Sequence, residues 1–295
     1  MGFSIFINKY AVKIIGDSDV FVTAKNLVVT LLLSALVLMP FLFAKLKNLN
    51  RNQWFKLVLI GLIGGSLPFL LFFKALSIAS ATNTAFIHKT LFVWVSLLAV
   101  WFLQEKIGRL QYLALVLLFL GNFALLGFKF INLGYGELLA FLATLLWAIE
   151  FVIAKKVLKE IPSEIVAWAR MFFGSIILFS FLFFGSKADS LLSFNLEQIN
   201  WLLLTAVLLL GYILTWYKAL QYLPAVTVAS ILVLASPITT FLDLLAGYKY
   251  NFYQIFSSVL IILAVTLFII TIKKIYSKEA GNNISLVNAN KGGKI

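Results

Sequence analysis

The residues that could do chemistry in this chain are few, and they stand inside long apolar runs. Glu150 lies in LLWAIEFVIAKK, Asp243 in TTFLDLLAG and His88-Lys89 in TAFIHKTLF. Lys74 and Lys218 lie in FFKALSI and WYKALQY, and Lys9, Lys25 and Arg170 have comparable surroundings. An ionisable group at the centre of a membrane helix costs about 2.5–3.5 kcal/mol on insertion scales, so each is a functional candidate by default. Glu150 has the chemistry to pair with a lysine, to bind a substrate ammonium or to carry a proton. His88 and Lys89 are adjacent and therefore about 100° apart on a helix, so they face different ways, and one is expected to face a cavity. Asn83 precedes them by about a turn. Trp94, Trp147, Trp216 and Tyr217 are candidates for a cavity wall, and Ser236, beside Pro237, completes the set expected to bind a substrate. Lys9, Lys25 and Arg170 fall near predicted helix ends and fit side chains that snorkel to an interface. The excess of such cations over Glu150 and Asp243 favours a substrate bearing a carboxylate or other anionic group, such as an amino acid.

Catalysis is poorly served. There is no cysteine and only one histidine, which excludes thiolate chemistry and a histidine-rich metal site. No HExxH, GxSxG or cluster of aspartates is present, and no P-loop that would couple ATP. The expectation is therefore no enzyme, no cofactor and no metal.

The elements that position these residues follow from composition. The 295 residues are 62% hydrophobic and 12% charged, with mean hydropathy +1.04. Soluble domains are roughly half apolar and about a quarter charged. Apolar runs of about 20 residues recur, each long enough for a hydrocarbon core of about 30 Å. Without strict alternation, they predict helices. Segments are predicted near 1–15, 22–44, 54–77, 82–103, 110–130, 134–156, 163–185, 199–221, 225–247 and 253–273. The fold class is thus an all-α integral membrane protein of about ten transmembrane helices. The net charge of +13 is spread between the runs rather than gathered on one face, which speaks for membrane orientation and against nucleic acid. Lys45, Lys47, Arg51, Lys56, Lys106, Arg109, Lys155, Lys156 and Lys159 fall on one side, giving a multi-pass protein of the cell membrane with both termini cytoplasmic. The expected partners are the lipid bilayer and a small-molecule substrate; self-association into a homo-oligomer stays open. Residues 276–295, polar and rich in Asn, Gly and Lys, are expected to form a disordered cytoplasmic tail.

The chain also repeats itself. Lys74-Ala75-Leu76 and Lys218-Ala219-Leu220 lie 144 residues apart, as do Ala81 and Ala225, and Ala85 and Ala229. Ser18, Asp19 and Lys25 match Ser163, Glu164 and Arg170 at 145. A duplication of five helices turns the second copy upside down, the inverted repeat of secondary transporters, whose site lies near the midplane between the halves. The repeated lysines are then expected on a shared interior. Pro68 and Pro237 lie within helices, where each frees a backbone carbonyl and invites a kink. Gly61, Gly64 and Gly65 form a small-residue face for close helix contact.

Over nearly all of its length the chain resembles the drug/metabolite transporter superfamily, in its EamA-like branch. The resemblance rests on the five-plus-five repeat and on the pattern opening each half, Met1-Gly2-Phe3-Ser4…Lys9 and Trp147-Ala148-Ile149-Glu150…Lys155. It rests also on the aromatic-x-Ala-Leu close of the third and eighth helices, followed by a helix with a proline site at Ser236-Pro237. Gln104-Glu105 matches the family's Gly-Glu after the fourth helix. The resemblance implies one EamA-like repeat over 1–130 and a second over 134–275, with a cavity lined by helices 1, 3, 4, 6, 8 and 9. It implies a secondary transporter, an exporter of a small organic metabolite such as an amino acid, by alternating access. The alternatives are a proton-coupled exporter of cationic or lipophilic compounds with Glu150 as proton carrier, and a non-transporting protein of the same fold. Met1 aligns with Trp147, about a dozen residues into its helix, so the first helix is expected to be truncated.

Overall fold

The computed structural model describes residues 2–127, 134–249 and 251–292. Among them the regular structure is helical throughout, with no strand. The helices are α1 (Gly2–Ile15), α2 (Ser18–Val37), α3 (Pro40–Lys47), α4 (Arg51–Gly65), α5 (Leu67–Ile78), α6 (Ala81–Lys89) and α7 (Leu91–Leu103). They continue as α8 (Arg109–Ala124), α9 (Tyr135–Val157), α10 (Ser163–Phe184), α11 (Leu196–Tyr222), α12 (Ala225–Leu232), α13 (Ala235–Leu245) and α14 (Phe252–Gly292). Eight helical stretches among the described residues are long and apolar enough to cross a membrane, three of them formed by the pairs α4–α5, α6–α7 and α12–α13. The apolar helix α8 is shorter, at 16 residues, and α1 has 14. Large apolar side chains such as Leu31, Phe55, Trp101 and Phe184 point outward. In water such a surface would aggregate; in lipid it is the expected exterior.

Local chemistry explains the breaks. The run predicted over 22–44 starts earlier, where Asp17 accepts from the N–H groups of Asp19 and Val20 and caps α2. It stops at Val37, because Pro40 has no N–H and disfavours helical geometry in the residue before it. Pro68 separates α4 from α5, with Ser66 at φ −140°, ψ −70° between them. The breaks between α6 and α7, at Thr90, and between α12 and α13, at Val233-Leu234, tighten to bonds that span three residues. Val93 N–H donates to the Thr90 carbonyl in the first, and Ser236 N–H to that of Val233 in the second. Thr90 and Leu234 are counterparts at an offset of 144, so both copies kink at one place though only one carries a proline. In the other, the Thr90 hydroxyl bonds the Ile87 carbonyl at 2.6 Å.

The packing is paired in the same way. α1 lies against α11 and α13, and α9 against α5 and α7, so the first helix of each copy packs on the third and fourth of the other. α4 packs on α10 as α11 packs on α2. The counterparts α2 and α10 touch, as do α8 and α14. Thr30 and Ser175, counterparts at 145, share a hydrogen bond of 3.0 Å. Where α4 meets α10 the backbones come close, as the glycine face predicts. A Cβ added at Gly65 would strike the Arg170 carbonyl and come 3.1 Å from Gly174 Cα.

α14 continues as helix to Gly292 through the segment read as disordered, which contains no proline to stop it. Residues 293–295 of that expectation lie outside the described residues.

Candidate functional site

The clearest polar constellation is built on Glu150 of α9, a side chain 1% exposed. Tyr217 of α11 donates its hydroxyl to Glu150 Oε1 at 2.6 Å, and Arg170 Nε of α10 lies 3.9 Å from the same oxygen. The guanidinium also donates to the Gly64 carbonyl at 2.9 Å and lies 5.2 Å from the Trp216 ring centroid. Trp147 donates its indole N–H to the same Gly64 carbonyl at 3.1 Å. Pro68 explains why that carbonyl is free. In an unbroken helix it would accept from the N–H four residues on, which a proline lacks. The proline thus turns a helix carbonyl into a tethering point for two side chains of the other half. Gly64 itself must lack a Cβ, which would come within 2.8 Å of Glu150 Cδ and 3.1 Å of Arg170 Nε.

A second constellation joins the two kinks. Lys89, the last residue of α6, donates to Ser236 Oγ of α13 at 2.9 Å. The two residues flank the breaks of counterpart helices, so the bond crosses between the copies. His88 turns the other way, as adjacency requires, and packs edge-on against Trp147 (4.7 Å between centroids) and at a tilt against Phe72 (5.1 Å). Its Nδ1 is buried without a hydrogen-bond partner. Thr239 of α13 donates to the Gly2 carbonyl of α1 at 3.1 Å, seating α1 beside α13.

The remaining candidates scatter. Asn83 donates to Glu137 Oε1 at 2.9 Å, at the start of α9. Trp94 donates to Thr90 Oγ1 at 3.1 Å and meets Phe141 edge-on. Lys74 and Lys218, expected on a shared interior, are both exposed. Lys218 sits 3.6 Å from Glu164, at the start of α10. The snorkelling expectation fails for Arg170 and Lys25, at 7% and 8% exposure. It holds in part for Lys9, whose half-exposed ammonium pairs with Asp243 at 3.2 Å. Among the described residues, no three His, Asp or Glu side chains gather closely enough to hold a metal ion.

Two roles were not legible at all. Lys155 of α9 donates to the carbonyls of Leu220 and Leu223, each at 2.7 Å, and caps the end of α11. Glu105, between α7 and α8, accepts from the N–H groups of Ala225 (2.7 Å) and Val226 (3.1 Å) and caps the start of α12. Each charge opposes the helix dipole end that it faces, so both are stabilising. The turn between α11 and α12 is thus clamped from both ends by side chains of other helices.

A family model described as EamA-like transporter family matches residues 1–127 and 134–270, together nearly the whole chain. An uncharacterized transporter of Archaeoglobus fulgidus is 28% identical over 208 residues, covering 67% of this chain and 70% of the relative. A solved crystal structure is similar over 93% of this chain and 96% of its own, at a TM-score of 0.68 and 14% identity, which speaks to the fold alone.

Proposed function

Since the chain belongs to the EamA-like transporter family and is a multi-pass membrane transporter, we propose that it is a secondary transporter, exporting a small organic metabolite with an anionic or zwitterionic head group, such as an amino acid. In this reading ten spans form two five-helix copies of opposite orientation in the cell membrane, with both termini cytoplasmic, and the site opens to each side in turn. The observation that carries it is the exchange of first helices, α1 onto α11 and α13 and α9 onto α5 and α7. A body so interlocked can rock about the Thr30–Ser175 contact without parting its halves. The kinked pairs α6–α7 and α12–α13, bridged by Lys89 and Ser236, supply the broken helices at which such carriers bind. The export direction rests on the family resemblance alone. Uptake of a labelled pool of L-amino acids and small carboxylates into proteoliposomes tests the reading. Counterflow of at least one compound is expected, and none for any of them would contradict it.

One observation favours a second reading, proton coupling through Glu150. The neutral Tyr217 hydroxyl holds its carboxylate more closely than the Arg170 cation does, at 2.6 Å against 3.9 Å. Glu150→Gln separates the two. Loss of exchange driven by a pH gradient, with counterflow intact, assigns the proton to Glu150; loss of neither leaves Glu150 a structural partner of Arg170.

A further inference from the structure

The two copies are not equally furnished. Arg170 on α10 and Lys25 on α2 are counterparts, and the Thr30–Ser175 contact one to two turns away ties their helices together. Arg170 has a carboxylate, Glu150, and a tyrosine hydroxyl that shares it. Around Lys25 the corresponding residues are Ser4, at an offset of 146, and Phe73, at 144, so both the acid and the hydroxyl are missing. Lys25 is nevertheless buried, at 8% exposure. Its ammonium donates to Asn8 Oδ1 at a long 3.4 Å and lies 4.5 Å from the Phe21 ring centroid. Among the described residues no carboxylate stands within ion-pair distance of it. The amide nitrogen of Asn8 reaches Ser4 Oγ at 3.5 Å, and both α1 residues are only part-buried. A cation withdrawn from solvent with one weak partner is costly unless something else pairs with it.

We propose that Lys25, with Asn8 and Ser4, is the anion subsite of the carrier, and that the carboxylate of the transported compound gives Lys25 what Glu150 gives Arg170. The proposal rests on the transporter reading above. One cation flanked by a neutral amide and a hydroxyl matches the single charge of a carboxylate, whereas a phosphate dianion calls for more positive charge than Lys25 provides. The ligand enters by displacing Asn8 Oδ1 from the ammonium.

The test supplies the missing acid from within. Asn8→Asp and, separately, Ser4→Glu place a carboxylate beside Lys25, while Lys25→Met removes the cation and Lys25→Arg keeps it. Thermal unfolding of the purified full chain is followed with acetate, with succinate, with a pool of L-amino acids, with the matching amino-acid amides and with inorganic phosphate. A ligand that binds only the folded state raises the melting temperature. The expected result is a rise of several degrees with at least one carboxylate and none with the amides. That rise survives in Lys25→Arg and vanishes in Lys25→Met, Asn8→Asp and Ser4→Glu, the two acidic variants melting above the parent when unliganded. Equal rises in the parent and the Lys25→Met variant, equal rises with amides, a rise with phosphate only, or no rise with any carboxylate would each overturn the proposal. Proteoliposome counterflow separates the two claims. Unaltered counterflow in Asn8→Asp removes the subsite and leaves the carrier. A carboxylate shift that depends on Lys25, without counterflow of any compound, removes the carrier and leaves the subsite.

Discussion

The turn between α11 and α12 and its counterpart between α5 and α6 have the same backbone plan and opposite wiring. The first is held by Lys155 on the last carbonyls of α11 and by Glu105 on the first N–H groups of α12. At the second, the counterpart of Lys155 is Lys9, which turns away to Asp243, and the counterpart of Glu105 is Lys249, whose charge has the wrong sign for a helix start. Ser80 does the capping there instead, accepting from the Asn83 N–H at 3.1 Å. The charge network inside each copy repeats the lesson: Arg170 has its acid, Lys25 does not. The copies share the turns before α6 and α12 and the kinks at Thr90 and Leu234, although α4 and α5 break at Ser66 where their counterpart α11 runs unbroken. They do not share which polar groups pair, and that is where they have taken different parts.

Breaking the paired half should cost most. Arg170→Met leaves the buried Glu150 with Tyr217 alone and is expected to destabilise the protein by about 3–5 kcal/mol, whereas Lys25→Met, with no acid to orphan, should leave the unliganded melting temperature unchanged or raised. Equal losses in detergent melts would erase the contrast between the copies. Next comes the clamp. Glu105→Ala removes a charged acceptor from two N–H groups and is expected to cost about 1.5–3 kcal/mol. Lys249→Ala at the counterpart position should cost nothing measurable. Gly64→Ala sharpens the comparison differently. Its methyl would push on Glu150 and Arg170 together, an overpacking of about 1–3 kcal/mol, which trimming Glu150 to Asp should partly relieve.

The smallest effect lies outside the membrane spans, where Lys187 donates to Asp17 Oδ2 at 2.6 Å. Burial opposes ionisation of Asp17, but the Lys187 hydrogen bond and the Val20 and Asp19 N–H groups outweigh it and hold the carboxyl below its ordinary range. The hydrogen bond that Lys187 donates to Asp17 raises the lysine above its own. A depressed acid stabilises the fold above its unfolded pKa, about 3.9, and loses that contribution as the pH falls through its lower folded value. A raised lysine contributes fully below about 10.4 and loses its contribution as the pH rises through its higher folded value. Melts of Asp17→Asn against the parent should therefore differ between about pH 4 and 10 and converge in acid, by no more than about 1 kcal/mol for so exposed a pair.

Much of the frame was legible. Apolar runs located the helix starts to within about four residues; the ends were missed at Pro40, whose helix-stopping effect the long run 22–44 concealed, and at α14, which runs past 273 to Gly292. Pro68 announced a free carbonyl, and counting back four residues names Gly64. Side-chain direction was not legible, because helices that are apolar on every side give no angular signal. The repeated Lys-Ala-Leu revealed the duplication while its lysines point outward. Arg170 looked like an end-of-helix residue until its partner appeared on another helix, and the reach of Lys155 and Glu105 to a distant turn depends on packing that no local pattern encodes.

The central claim is that the copies face opposite ways. The chain has no cysteine, so single cysteines can be placed without further changes. Ile78 and Tyr222 are exposed counterparts at the ends of α5 and α11. With an impermeant maleimide, Ile78→Cys should label in intact cells and Tyr222→Cys only in inverted vesicles; labelling of both from the same side would contradict the account.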